Sequence, residues 1–288
     1  MQRESVAQSV LVAGCLCLVC SLLVSSAAVL FRPRQEMNKL RQMQKDVLQV
    51  AGLYEEGAEV SDLFQEVDMR IVELESGQFV DAADVDRDVY DPKVAPKEPD
   101  YSIVIPPEQD LAGLKRREKL SAVYLVKAPT GELQQLILPV RGKGLWSTMY
   151  GFVSLESDFY TVRGITFYEH GETPGLGGEI ESPKFKQQWQ GKVVRDEDGS
   201  PRIEAVRGNV DPQDPDAKYK IDAIAGATIT TRGVTDMLRY WLGPNGFGPF
   251  LERMTEEPNA RMSAAGDGWD NRPENRTNRF AKGGAPWY

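Results

Sequence analysis

The sequence Ala225-Gly226-Ala227-Thr228-Ile229-Thr230-Thr231 lies directly before a run of residues with helical periodicity. Apolar side chains recur in that run at positions i, i+3, i+4, i+7 and i+8, on one helical face: Val234, Met237, Leu238, Trp241 and Leu242. The start of a helix carries partial positive charge and unpaired N–H donors, so it attracts phosphate groups. From the residues alone, the threonine hydroxyls either cap the helix or stand beside a phosphate ligand.

The common nucleotide-binding patterns are missing from the chain. It has no P-loop, and no predicted strand is followed by Gly-x-Gly-x-x-Gly. The net charge of −9 argues against nucleic acid as a partner, because nucleic-acid-binding surfaces are basic. The single histidine, His170, excludes a histidine-rich metal site, and we expect it to order its turn rather than to titrate in catalysis.

The residues Asp222-Ala223-Ile224-Ala225-Gly226-Ala227-Thr228 resemble a signature, Asp-x-x-Ser/Thr-Gly-Ala-Thr, of the covalent FMN-binding domain family. Members of that family carry FMN esterified through its phosphate to the last threonine of the signature. The resemblance therefore implies that Thr228 is the attachment residue. The chain departs from the signature at Ala225, where the family usually has serine or threonine, so one hydroxyl near the phosphate is missing.

Two further segments resemble the same family in the same order and spacing. Residues 170–178, His-Gly-Glu-Thr-Pro-Gly-Leu-Gly-Gly, look like its His-x-Glu-Thr-Pro-Gly-Leu-Gly loop, although the same residues also suit an ordinary Pro-Gly turn. Residues 142–152 are similar to the corresponding stretch in the C-type subunits of sodium-translocating NADH:quinone oxidoreductases. The related G-type subunit of the Rnf electron-transport complex usually has a short Gly-Tyr-x-Gly-Pro-like sequence there. The likeness extends from the N-terminal helix to about Leu251.

The resemblance implies a set of cofactor-binding residues but no catalytic and no metal-ligating residue. Arg207 stands where the family tends to carry a basic residue that offsets phosphate charge, and Leu145 and Trp146 either cover an apolar face of the flavin or belong to the core. Thr230 and Thr231 are better placed as helix caps. The full set is Thr228 (covalent FMN), Leu145, Trp146, Glu172, Thr173, Leu176, Gly177, Arg207, Ala225, Gly226 and Ala227.

The N-terminal residues predict a membrane anchor. Residues 5–31 carry no charge and are mostly apolar beyond Val10, which is long enough to span a bilayer. A cleaved signal peptide is the alternative, although its apolar region is usually shorter. Basic residues follow the span and would place the rest of the chain in the cytoplasm. The family instead implies a periplasmic domain on a bacterial inner-membrane anchor, and we follow the family.

The remaining chain predicts an α+β fold with one N-terminal transmembrane helix followed by a soluble covalent-FMN-binding domain, because helices and strands mix without regular βαβ alternation. Its predicted regions are the anchor at 1–35, a helical, strand and acidic-loop region at 36–120 that packs with the soluble domain, the FMN-binding domain at 121–254, and a disordered or partner-docking tail at 255–288. All three cysteines lie in the anchor, so no disulfide stabilises the soluble part.

The function implied by the resemblance is electron relay through covalent FMN in a membrane respiratory complex that couples NADH oxidation by quinone to sodium export. The expected partners are the other subunits and, during maturation, a flavin transferase. The G-type subunit of an Rnf-type complex is one alternative. Another, supported by Ala225, is a cofactor-free envelope protein that scaffolds a membrane complex. NADH is expected to bind elsewhere, because this chain has no dinucleotide fingerprint.

Overall fold

A computed structural model describes residues 6–81, 85, 89–128 and 130–256 of the chain. Its first element is helix α1, which runs from Val6 to Ala51 over 46 residues, and a short helix α2 (Val60–Leu63) follows it. Within the described residues, Ser9–Phe31 is the one stretch of helix long and apolar enough to cross a membrane, and it is exposed throughout. The apolar spacing of residues 37–53 alone predicts a second helix that leaves the membrane. The structure joins it to the anchor in the single helix α1, which continues through Pro33.

Most of the strands belong to one sheet. Within the described residues the strands are β1 (Val67–Glu73), β2 (Phe79–Val80), β3 (Ser102–Val104), β4 (Arg116–Glu118), β5 (Leu120–Lys127), β6 (Leu133–Lys143), β7 (Thr148–Glu156), β8 (Val162–Glu169), β9 (Glu204–Val206) and β10 (Lys220–Asp222). An antiparallel sheet has the order β2-β1-β5-β6-β7-β8. The pairs β3-β4 and β9-β10 form two small sheets, the second of them parallel.

The large sheet separates two hydrophobic cores, because successive side chains of a strand point to opposite faces. On one face the last turns of α1, with Leu48 and Val50, contribute to a core that also contains Ile137 and Phe152. The other face carries the larger core. It is covered by three helices: α3 (Pro183–Gln187), α4 (Thr228–Trp241) and α5 (Gly248–Glu256). Helices on both faces of a mainly antiparallel sheet confirm the α+β prediction.

One predicted strand begins later than its sequence suggested. Residues 158–169 are rich in β-branched and aromatic side chains, which predicts a strand over the whole stretch, but β8 starts only at Val162. The Asp158 carboxylate accepts hydrogen bonds from the backbone N–H groups of Tyr160 and Thr161, at 2.9 and 2.8 Å. Such side-chain bonds to the following backbone stabilise a turn, so the first residues of the run leave the sheet.

Residues 81–107 are acidic and proline-rich, which predicts a loop, but the structure gives this stretch more order than that. It includes strand β3 and two short 3₁₀ helices, Ala95–Lys97 and Pro99–Tyr101, each with a proline in its first turn. Strand β3 pairs with β4, whose sequence Arg-Arg-Glu gave no strand signal. Several parts of the chain lie outside the described residues. They include residues 82–84 and 86–88 of this loop, Pro129, whose Pro-Thr-Gly sequence predicts a turn, and residues 257–288 of the predicted tail.

The predicted boundary at residue 121 separates two neighbouring strands of one sheet. Strand β1, from the region 36–120, pairs with β5 along the whole stretch from Val67 to Glu73. This pairing joins a strand of the region 36–120 to the segment that follows it. The division of the soluble part at residue 121 stays a prediction.

Helix α1 buries a carboxyl group where it meets the sheet. Asp46 is 5 % exposed, and its Oδ1 accepts a hydrogen bond from Gln42 Nε2 at 3.0 Å. Its Oδ2 finds no hydrogen-bond partner among the described residues. Burial raises the pKa of the Asp46 carboxyl to about 6, although Gln42 and the nearby charges of Lys45 and Lys186 act in the opposite direction.

The raised pKa of Asp46 predicts a pH-dependent stability. The folded chain binds the carboxyl proton more tightly than the unfolded chain, so this stabilisation is present at low pH and is lost as the pH rises through about 6. Asp46→Asn, which keeps the shape but not the charge, should therefore raise the melting temperature at about pH 8 and leave it unchanged near about pH 4. Thermal unfolding of the detergent-solubilised chain checks this, and an equal effect at both pH values would contradict it.

Candidate functional site

Three segments that are distant in sequence meet around the carboxylate of Glu172. They are the connection between β6 and β7, the turn after β8, and the start of α4. The Glu172 oxygens accept hydrogen bonds from the backbone N–H groups of Leu145, Trp146 and Ser147, at 3.2, 3.0 and 3.3 Å. The hydroxyl of Thr230 donates a further bond to Glu172 Oε2 at 2.5 Å. We call the carboxylate and these four donors the Glu172 cluster.

The Glu172 carboxylate is buried, yet its surroundings favour the ionised form. Burial alone would raise its pKa, but the Thr230 hydroxyl and the backbone N–H groups of Trp146, Ser147 and Leu145 together outweigh burial and lower the pKa below its usual range. All four donors stabilise the charged form, which accepts hydrogen bonds and has no proton to donate. The cluster is therefore built for a carboxylate and not for a carboxylic acid.

Two glycines allow the segments of the cluster to approach one another. A Cβ added at Gly144 would lie 2.5 Å from Glu172 Oε1, which is closer than atoms pack. At Gly177 an added Cβ would lie 2.6 Å from Thr230 Oγ1 and 2.9 Å from Glu172 Oε2. Gly177 was predicted to contact the cofactor. The structure shows that it is buried and that its lack of a side chain makes room for the cluster.

The threonines of the opening sequence differ in exposure. Thr228 is the first residue of α4 and is exposed, whereas Thr230 and Thr231 are buried. The prediction that Thr230 and Thr231 cap the helix is wrong, because the N-cap residue is Ala227 and no side chain caps it. Thr230 instead bonds to Glu172, and the Thr231 hydroxyl donates to the carbonyl of Ala227 at 2.9 Å. Among the three, Thr228 alone has an accessible hydroxyl.

An exposed apolar rim surrounds the start of α4. Leu145 and Trp146 on the β6–β7 connection are 46 % and 66 % exposed, so neither belongs to the core. Leu176 on the turn after β8 and Ile229 beside Thr228 are 46 % and 60 % exposed. A Cβ added at Gly226 would lie 3.3 Å from Leu176 Cδ2, which places that leucine next to the threonine segment. Exposed large apolar side chains gathered in one place are typical of a binding surface.

The other predicted residues border the same region. Ala225 and Gly226 are exposed, Ala227 is buried, and Gly226 has a φ of +75°, which glycine adopts without strain. Thr173 is exposed, and its carbonyl accepts backbone hydrogen bonds from Leu176 and Gly178 at 3.1 and 2.9 Å.

Arg207 is exposed and follows β9 directly. The carbonyl of Val206, just before it, accepts a hydrogen bond from Ala223 N at 2.8 Å. This bond links the β9 segment to the signature that leads into α4.

The sequence alone did not identify a second basic residue, Arg232, near Thr228. It lies four residues after Thr228 on α4, so both side chains are on the same helical face, and it is exposed. It has no ion pair within the described part of the chain. The four-residue spacing was visible in the sequence, but it carried meaning only once Thr228 was known to begin the helix.

His170 has the ordering role that was predicted for it. Its Nδ1 accepts a hydrogen bond from the backbone N–H of Glu172 at 3.1 Å, and its Nε2 lies 2.9 Å from Glu181 Oε1. The hydrogen bond of Nδ1 stabilises the turn from which Glu172 enters the cluster.

The residues at the start of α4 suit a phosphate-bearing group with a flat apolar part. An accessible hydroxyl lies at a helix start, where backbone N–H groups favour anions, and an exposed arginine follows one turn later. The apolar rim offers area for an aromatic ring. Fold and site together define a domain for a phosphorylated aromatic cofactor, joined to an apolar N-terminal helix.

Comparisons with known proteins agree with this class. The family model of the FMN-binding domain matches residues 144–243, which include all three segments of the site. The C-type subunit of the Na(+)-translocating NADH-quinone reductase of Pseudomonas aeruginosa is 46 % identical over 256 residues, covering 88 % of this chain and 97 % of that protein. Its counterpart from Vibrio alginolyticus is 44 % identical over 242 residues, covering 84 % and 92 %. The crystal structure of Shewanella oneidensis NqrC has a TM-score of 0.69 and 34 % identity, covering 76 % of this chain and 100 % of that one.

The chain belongs to the NqrC family, the C-type subunits of the Na(+)-translocating NADH-quinone reductases. Its relatives are subunits of an oxidoreductase complex, and its FMN-binding domain carries the site described above. The apolar helix Ser9–Phe31 fits a single-pass protein of the inner membrane. The comparisons thus favour the NqrC family over the alternative of an Rnf subunit.

Proposed function

We propose that this chain carries FMN as a phosphate ester on Thr228 and relays electrons within a complex that couples NADH oxidation by quinone to sodium export. The observation that carries the proposal is the position of Thr228, an exposed hydroxyl at the point where three segments meet under an apolar rim. The names of its relatives point to the complex. The partners are the other subunits of that complex.

Attachment needs an activated flavin donor, because a threonine hydroxyl is a weak nucleophile near neutral pH. With a flavin dinucleotide as donor and a flavin transferase as catalyst, Thr228 Oγ1 attacks the phosphorus of the FMN half. A new O–P bond forms, a P–O bond of the pyrophosphate breaks, and a nucleoside monophosphate leaves. The hydroxyl proton passes to a base of the transferase, and no electron is transferred. Thr228 is therefore a substrate residue and anchor.

Different residues around Thr228 are suited to different parts of the cofactor. The helix start, Arg232 and Arg207 are suited to the phosphate, whereas Leu145, Trp146 and Leu176 are suited to a ring face. Bound FMN supplies electron transfer, and an ester at its phosphate leaves the ring chemically unmodified. Thr173 and Ala225 border the site, with Ala225 leaving space where the family signature has a hydroxyl.

Sodium transport is assigned to the whole complex and not to this chain. The helix Ser9–Phe31 contains no Asp or Glu, and ion paths in membranes are usually built from such residues. NADH is assigned to another subunit, because the chain lacks a dinucleotide-binding fingerprint.

Arg232 should assist attachment through its charge. Arg232→Gln is expected to lower the rate of flavin transfer to Thr228 by about twofold to fivefold, the range of an exposed ion pair, and to weaken the dependence of that rate on salt. Arg163→Gln removes the same charge from an exposed position at the start of β8 and should leave the rate unchanged. Equal rates in wild type and Arg232→Gln would contradict the assignment.

The domain is proposed to lie on the periplasmic side, despite the basic residues after the span. Large domains translocate with little regard to flanking charge, which weakens the usual rule. Alkaline phosphatase fused after Tyr288 should be active, since that enzyme matures only in an oxidising compartment. Activity of a cytoplasmic reporter at the same junction would place the domain in the cytoplasm.

Intact mass decides between the flavoprotein and a cofactor-free scaffold. The full chain produced together with a flavin transferase should gain the mass of one FMN ester and fluoresce in a denaturing gel. The chain produced without the transferase is the control and should gain neither. An unchanged mass in both samples would favour the scaffold. Purification of the native complex should also recover the other subunits of the reductase.

A further inference from the structure

We propose that Glu172 is a positioning residue for flavin attachment, which acts through the Glu172 cluster and without touching the flavin. This inference rests on the proposed attachment at Thr228 and names the group that presents the acceptor. The motif comparison placed Glu172 among residues that lie against the cofactor. Its carboxylate instead faces the interior, where both oxygens are already bonded to the protein.

The hydrogen bonds of Glu172 link the two sides of the site. On one side they hold three successive backbone N–H groups of the connection that carries Leu145 and Trp146 of the rim. On the other side they hold the hydroxyl of Thr230, which lies in the first turn of α4, two residues after Thr228. The Glu172 side chain therefore links the helix that carries the acceptor hydroxyl to the connection that carries the apolar rim.

The charge of Glu172 is essential to this arrangement. A carboxylate accepts all four hydrogen bonds, whereas the amide of a glutamine has one accepting oxygen and an NH₂ group that would face other donors. Glu172→Gln consequently leaves some of the buried donors without an acceptor, although it preserves the shape of the side chain. The start of α4 has no side-chain cap to replace the lost contact.

Acceptor geometry controls the rate of a group transfer, since a displacement of about 1 Å from the reactive geometry costs as much as about a hundredfold in rate. We therefore expect Glu172→Gln to lower the single-turnover rate of flavin transfer by about tenfold or more at saturating transferase and flavin donor. Thr230→Val removes the one bond by which the cluster holds α4, so it should lower the same rate to a similar extent.

A matched control separates positioning from loss of stability. Glu118 is another buried carboxylate, and it pairs with Arg141 Nη2 at 2.5 Å, so its partner lies outside the Glu172 cluster. Glu118→Gln should lower the melting temperature but leave the transfer rate at its wild-type value when the chain is folded. Equal losses of rate in Glu118→Gln and Glu172→Gln would mean that general destabilisation is the cause, and would overturn the proposal.

Hydrogen exchange tests the cluster without any flavin. In the unmodified full chain, the amides of Leu145, Trp146 and Ser147 should exchange about tenfold faster in Glu172→Gln than in wild type. In Thr230→Val the same three amides should exchange faster by a smaller factor, because Glu172 still accepts their hydrogen bonds. Unchanged exchange at these amides would overturn the positioning role. A wild-type chain that exchanges as expected but never accepts flavin would instead overturn the attachment at Thr228, so the two failures are distinguishable.

Discussion

Replacement of Thr228 by alanine is expected to abolish covalent flavin while leaving a folded, membrane-bound chain. The threonine is exposed, and its hydroxyl makes no hydrogen bond to the described residues, so its removal costs little stability. The neighbouring threonines are buried and bonded to the protein, so neither replaces it as acceptor. Intact mass and in-gel fluorescence after production with a flavin transferase measure the result, with the melting temperature as the test of folding.

Thr231→Ala is the matched control for Thr228→Ala. Its hydroxyl donates to the carbonyl of Ala227 and accepts from the backbone N–H of Ile224, at 2.9 and 3.2 Å. Loss of these bonds should cost about 1–2 kcal/mol of unfolding free energy, and the flavin should remain. Flavin retained in Thr228→Ala, or a peptide map that places the added mass on Thr230 or Thr231, would show that the attachment residue is a different one.

Trp241→Ala should have the largest effect on stability. Its side chain is 1 % exposed, its Nε1 donates to the carbonyl of Arg141 at 2.7 Å, and its ring centroid lies 5.5 Å from that of Phe247. Removal of a buried tryptophan ring costs about 3–5 kcal/mol, because a cavity remains. Trp241 anchors the C-terminal end of α4, so the loss also weakens the docking of the helix that begins at Thr228. Denaturant unfolding of the solubilised chain measures the change.

Trp146→Ala removes an exposed tryptophan and can be compared with Trp241→Ala, which removes a buried one. Because the Trp146 side chain is exposed, we expect the free energy of unfolding to change by less than about 0.5 kcal/mol. Its effect should appear in the attached flavin, whose fluorescence changes when an indole is removed from its neighbourhood. A loss of stability similar to that of Trp241→Ala would mean that Trp146 belongs to the core, contrary to its exposure.

Sequence reasoning worked best where the signal is local. The apolar positions from Val234 to Leu242 predicted the buried face of α4 correctly, because helical periodicity depends only on neighbouring residues. The motif around Thr228 likewise marked the position that the structure shows as exposed. The helix start was predicted too late, since the threonines lack the hydrophobic periodicity that reveals the rest.

The hydrogen bonds within the site could not be predicted from neighbouring residues in the sequence. Glu172 is 27 residues from Leu145 and 58 residues from Thr230, and nothing in the spacing shows that these groups meet. The sequence identified Glu172 as important through its motif but assigned it to the cofactor. The fold of the sheet brings the β6–β7 connection beside the turn after β8, so the carboxylate is bonded within the protein. Its contact with the cofactor stays a prediction.

Helix α1 has a geometric consequence for the proposed electron relay. Between Phe31 at the end of the apolar stretch and Gln44, the first of its residues buried against the domain, the backbone stays helical over a distance of about 20 Å. The domain is thus joined to the apolar stretch by continuous helix, in which Pro33 is the one residue without a backbone N–H. Its height above the bilayer and its facing direction are linked, since one inserted residue would turn it by about 100° and lift it by about 1.5 Å. A partner that exchanges electrons with this domain has to present its own redox centre at that height and on that side.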